Sequence, residues 1–187
     1  SQLQHGVKFI MSRILENLHA ADAASYYEVI GEKEQGAELI DLGKLALATA
    51  YASEAQVFAR QSEQWAFRAQ IERANTFERF EQEIMEIDDD EMTSKAVRAH
   101  DDAILRIKHA VSSFELAAME LESVKGEIIR KKNNVEAQVS QLQGVVMKFR
   151  GDLSRMEGAK SDFLAEDMSK RGKTAKARQY FDDAKDQ

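Results

Sequence analysis

The sequence predicts an all-α fold: an elongated, antiparallel, coiled-coil-like bundle of three long helices preceded by a short N-terminal helix. Three observations predict it. The 187 residues include no proline and only nine glycines, where average usage would supply roughly nine prolines. Charged residues make up 32% and aromatics 7%, and the abundance of Ala, Glu, Lys, Arg, Gln and Leu suits long helices rather than a sheet. Apolar residues recur in steps of three and four over most of the chain, the mark of helices that bury a narrow seam against partner helices.

Residues 1–30 read as the short N-terminal helix, with Val7, Ile10, Ile14 and Leu18 on one side before "AADAASYYEVI". "GEKEQG", Gly31 to Gly36, holds two glycines and no apolar residue, and predicts a break. The first long helix, 37–87, has Leu39, Leu42 and Ala46 near its start and Phe77, Phe80, Ile84 and Ile87 near its end. Its alanine-rich middle, "LALATAYASEA", would let another helix approach closely.

"IDDDEMTS" crowds Asp88, Asp89 and Asp90 before Thr93, which is the expected N-cap of a second long helix over 94–131. The stripe of that helix is Ile104, Ile107, Val111, Phe114, Ala118 and Leu121. "KKNN" then predicts a turn, because Asn133 and Asn134 tolerate the left-handed conformation and basic residues favour a helix C-terminus. The alternative is unbroken helix, since Ile128 to Val135 is one heptad. A third long helix over 135–170 follows, with Val135, Val139, Leu142, Val146, Phe149, Leu153 and Met156 as its stripe. The helices flanking the turn are each about 55 Å long at 1.5 Å per residue, as an antiparallel hairpin requires. Residues 171–187 lose the stripe and read as a polar tail, a short polar helix or a frayed end, of a single 1–187 domain.

Composition excludes several functions. A net charge of -7 argues against nucleic-acid binding and leaves a basic partner or a local basic patch. The absence of cysteine rules out disulfides, thiolate metal sites and cysteine nucleophiles, and fits a cytoplasmic chain. No apolar run approaches the roughly 18 residues that cross a bilayer, so any membrane association would be peripheral.

Catalytic patterns fail on spacing. "GAELIDLGKL" has six residues between its glycines and Leu45 after Lys44, unlike a P-loop. "ENLH", Glu16 to His19, has the Glu-x-x-His spacing of di-iron bundles, but Val97 and Arg106 stand where His100 and His109 would need a glutamate. "DDDE" lacks the alternating ligands and central glycine of an EF-hand. Trp65, with Phe58 and Phe67, reads as core or interface. No enzyme, metal, cofactor, small-molecule substrate or nucleic-acid partner is therefore expected.

Positive charge is concentrated in two places. Arg130, Lys131 and Lys132, with Lys125 on the preceding segment, would form the tip of the hairpin, and no acidic residue lies between Ile128 and Val135. Lys170, Arg171, Lys173, Lys176 and Arg178 form a second basic cluster. Near an anionic bilayer each basic residue contributes roughly 1 kcal/mol. Slender amphipathic helices also predict self-association, most simply as an antiparallel dimer, or a related helical partner.

The helix order, "FIMSRILENLHAADAASYYEVI", then "ELIDLGKLA", then two long helices joined by "RKKNN", resembles a BAR domain of the arfaptin or sorting-nexin kind. "MKFRGDLSRMEGAKSDFLAED" is similar to the third helix of such domains. The resemblance implies a curved homodimer or heterodimer that senses or imposes curvature on anionic membranes in vesicle or endosomal traffic, with Arg130, Lys131 and Lys132 as tip residues. The same heptads suit a second reading: a rigid coiled-coil adaptor or tether, cytoskeletal or part of a secreted bacterial translocator, in which the basic run is a solvated turn.

Overall fold

The computed structural model describes residues 12–16, 19, 33–81 and 89–185, and among them the chain is helical apart from short turns. Four helices follow in order: α1 (Lys33–Glu81), α2 (Asp89–Glu122), α3 (Glu127–Lys132) and α4 (Val135–Lys185). Packing divides the chain into two compact units, residues 1–61 with 106–152 and residues 62–105 with 153–187. The long helices contribute a stretch to each unit, so the structure is an all-α bundle.

Direction follows from the contacts inside each unit. In unit 1, Ala48 of α1 clusters with Leu121 of α2 and with Val135 and Val139 of α4. Farther along α1, Ala55 clusters with Val111, Phe114 and Val146. As the α1 number rises, the α2 number falls and the α4 number rises, so α2 runs antiparallel to both other helices. Unit 2 repeats the pattern, with Ser62 donating to the Ala103 carbonyl at 2.8 Å and touching Met156, and Arg73 pairing with Glu166.

The core is a seven-residue lattice of small and large side chains. In α1, Asp41, Ala48, Ala55, Ser62, Ala69 and Thr76 stand one heptad apart and all are buried. In α2, Ala96, Ala103, Ala110 and Ala117 form a buried heptad series beside a second buried series of His100, Ile107, Phe114 and Leu121. Small side chains permit close helix approach, and the larger residues between them supply the apolar area whose burial stabilises the bundle, about 25 cal/mol per Å². Phe114 stacks on Phe149 with ring centroids 5.5 Å apart, and Phe163 is fully buried against Phe77 and His100. The alanine-rich middle of α1 thus does what its sequence predicts.

Several boundaries differ from the sequence expectation. Helix α1 begins at Lys33, so the second half of "GEKEQG" is helical and Gly36 is buried. Helix α2 begins at Asp89, which places Thr93 inside the helix rather than at its cap. The Thr93 hydroxyl donates to Asp167 at 3.0 Å and accepts from Arg171 at 2.8 Å, a tertiary partnership that spacing does not reveal.

Helix α2 ends at Glu122, nine residues short of the expected Lys131, because Ser123–Gly126 leave the helix and α3 restarts it. The helix expected to end at Lys170 runs on to Lys185, so residues 171–185 continue α4 rather than fraying from it. The N-terminal helix expected over 1–30 lies mostly outside the described residues; residues 12–16 are helical, with Ile14 and Leu15 exposed. Residues 82–88 also lie outside them, and with them Ile84, Ile87 and Asp88.

Candidate functional site: a braced basic tip

The turn in unit 1 is built by residues far from it in sequence. When α2 stops at Glu122, the backbone N–H groups of Lys125 and Gly126 need acceptors. The buried Asp41 carboxylate of α1 supplies both, at 3.0 and 2.8 Å. The neighbouring Lys44 ammonium donates to the Ser123 carbonyl at 2.7 Å. Gly126 is required by this close approach, since a Cβ there would lie 2.9 Å from Asp41 Oδ2.

Arg130 completes the brace. Its guanidinium donates to the carbonyls of Val124 at 2.6 Å and Glu122 at 3.2 Å, and to Glu136 at 2.8 Å. That hydrogen bond from Arg130 holds the Glu136 carboxyl below its ordinary pKa. Helix α3 then closes with the Asn133 side chain donating to the Ile129 carbonyl at 2.9 Å. Asn134 takes φ = 50°, the left-handed geometry its residue type predicts, so the expected turn at KKNN is present.

What remains outward is a small cationic surface. Lys125, Lys131 and Lys132 are exposed, and among the described residues no carboxylate pairs with them. Beside them stands Ile128, 82% exposed, the most exposed large apolar side chain among the described residues. Residues 123–135 contain four basic residues and only Glu127 as an acid. Arg130 is expected at the tip among the residues that would meet a membrane; the structure turns its side chain into the backbone of the turn. Asp41, Lys44, Gly126 and Ile128 were missed. A carboxylate in the heptad series of Ala48 and Ala55 was the available signal for Asp41.

The second basic cluster is differently placed. Lys170 lies in unit 2 with its ammonium 4.2 Å from the Phe77 ring centroid and 3.6 Å from Glu166. Arg171 donates to the buried Asp167 at 3.0 Å and to Thr93. Both belong to helix packing. The side chains of Lys173, Lys176 and Arg178 lie outside the described residues.

Unit 2 also buries an imidazole. His100 is 7% exposed and stacked on Phe163 at 5.8 Å, and its Nε2 has no hydrogen-bond partner among the described residues. Burial lowers its pKa below 6.5; the charge of Arg73 lowers it further, Asp101 opposes, and Lys160 adds to the lowering.

On unit 1, an open groove of about 480 Å³ runs between α1 and α4. Ala48, Ala52, Leu142, Val145 and Phe149 give it an apolar lining, with Gln56, Gln138 and Gln141 also along it. Glu16 and His19 are exposed. Among the described residues no group of His, Cys, Asp and Glu is arranged to hold a metal, and no helix is long and apolar enough to cross a membrane.

Comparison with known proteins adds no relative: no family model, no curated protein and no solved structure matches the chain.

Proposed function

We propose that the chain is a non-enzymatic helical scaffold that binds anionic membranes through the tip formed by Lys125, Lys131 and Lys132. The supporting observation is the division of labour at the turn. Asp41, Lys44 and Arg130 are consumed in fixing its backbone, which leaves the other cations outward, with no carboxylate paired to them among the described residues and Glu127 as the one acid nearby in sequence. A backbone already fixed need not be ordered on binding, and each cation it carries contributes roughly 1 kcal/mol near an anionic surface. With the BAR-like helix order, this makes the chain a dimerising module that reads curved membranes in vesicle or endosomal traffic, on the cytoplasmic side.

Co-sedimentation with phosphatidylserine-containing vesicles tests the reading. Lys131→Glu with Lys132→Glu should abolish binding while circular dichroism and melting temperature stay unchanged. Arg130 is left intact, because its replacement would unfasten the turn and confound the result. Equal binding by the variant and the unmodified chain, or binding by neither, would overturn the proposal.

The groove of unit 1 favours a second reading, a coiled-coil adaptor. Its apolar lining and glutamines match what a partner helix needs, and α2 adds exposed Leu116 and Met119 on the same unit. In that case Ala52→Glu should block association measured by light scattering, while the tip variant leaves it intact.

A further inference from the structure

We propose that Ile128 is an inserting side chain, so that the tip enters the boundary between headgroups and acyl chains instead of resting on the charged surface. The inference rests on the membrane reading above and deepens it. Its basis is the juxtaposition of one bare isoleucine with lysines on a backbone that cannot retract it.

The neighbouring apolar residues are accounted for by the fold. Val124 and Val135 are buried, at 2% and 0% exposure, and Ile129 is half-buried, whereas Ile128 stands 82% exposed in the same dozen residues. Lys131 and Lys132 follow Ile128 by three and four residues, so they share its side of α3. Local rearrangement does not hide Ile128, because Arg130, two residues further along α3, is tied to the Val124 and Glu122 carbonyls and Asp41 holds the two N–H groups before α3.

This arrangement fits a bilayer better than a protein pocket. A bilayer interface offers anionic groups above and hydrocarbon below. Lysine stems bury along apolar surface while the ammonium reaches back to phosphate, so Lys131 and Lys132 can remain at headgroup level as Ile128 passes beneath them. Electrostatics alone would make binding collapse in salt; an inserted isoleucine leaves a component that salt does not screen.

The absence of cysteine makes the test direct. The full chain with Ile128→Cys is labelled with an environment-sensitive fluorophore and mixed with phosphatidylcholine vesicles with and without phosphatidylserine; Gln70→Cys, exposed on α1 of unit 2, is the control. The expected result is a blue shift at 128 alone, quenched by spin-labelled acyl chains. Unlabelled Ile128→Ser should bind vesicles about tenfold more weakly, the order expected for losing most of one isoleucine's burial, and Ile128→Leu should bind normally. If the Lys131 and Lys132 reversals abolish binding while Ile128→Ser binds normally and the label at 128 does not shift, insertion is overturned and surface binding stands. If the unmodified chain binds no vesicle, both readings fall.

Discussion

At the heptad position of α2 that faces into the bundle, unit 1 places Ile107, Phe114 and Leu121, and unit 2 places His100 and Thr93. Helix α4 changes in the same way. Val139 and Val146 serve unit 1, and their successors in unit 2 are Leu153, Lys160 and Asp167. Along these two seams the lattice is filled with aliphatic and aromatic groups in unit 1 and mixed with polar ones in unit 2, although unit 1 also buries Asp41 of α1 and Ser113 of α2. The first is held by burial, which is tolerant of solvent conditions. The second depends on each polar group finding its partner, because an unmatched one in low dielectric is costly. Ser62 with the Ala103 carbonyl and Thr93 with Asp167 and Arg171 are matched; the Nε2 of His100 is not.

The largest expected effect comes from removing the aromatic anchor of either unit. Phe114→Ala and Phe163→Ala should each cost about 3–5 kcal/mol, read from urea unfolding. Hydrogen exchange should lose protection in the unit that carries the change; equal loss throughout would show that the two units open as one and would break the comparison. Next in size is the brace of the tip. Asp41→Ala strands two backbone donors and should cost about 1–3 kcal/mol, with faster exchange centred on residues 123–134. Asp41→Asn, which keeps one acceptor, should cost less.

The smallest effect separates the units by pH. The folded-state pKa of His100 lies below 6.5 because burial, and then Arg73, disfavour the imidazolium. Below pH 6.5 the unfolded chain therefore takes up a proton that the folded chain refuses. Stability is full above 6.5 and falls as pH drops from 6.5 toward the lowered folded value. His100→Leu should flatten that slope in thermal melts between pH 7.5 and 5, and the loss in the unmodified chain should appear as faster exchange in unit 2. An unchanged slope in His100→Leu would assign the pH response to other groups.

The seams of α2 and α4 were legible because Ile107, Phe114, Leu121, Val135, Val139 and Val146 keep a local period that needs no knowledge of the fold. The left-handed Asn134 was legible for the same local reason. The end of α2 was not. Nothing between Ser123 and Gly126 interrupts the heptad count strongly, and the residue that stops the helix, Asp41, lies 84 positions away from Lys125. Thr93 was misread for a similar cause, since its partner Asp167 is 74 positions distant. The basic residues at the tip were visible as charge, but only the fold separates Arg130, spent on carbonyls, from Lys131 and Lys132, which face outward. No pattern marks Ile128 as exposed, because it sits one heptad before the fully buried Val135.

The alanine series of α2 and the small series of α1 have a consequence for how the chain finds its alignment. A slide of one helix past another by seven residues, about 10 Å, sets alanine opposite alanine again and changes little in shape. Repeats of identical teeth mesh equally well at several offsets. What breaks the degeneracy is the handful of polar residues set among them. Ser62 must meet the Ala103 carbonyl, Asp41 the two N–H groups beyond Glu122, and Asp167 the pair Thr93 and Arg171. In any other offset these groups would be buried without partners, so they act as index marks that make one alignment out of several.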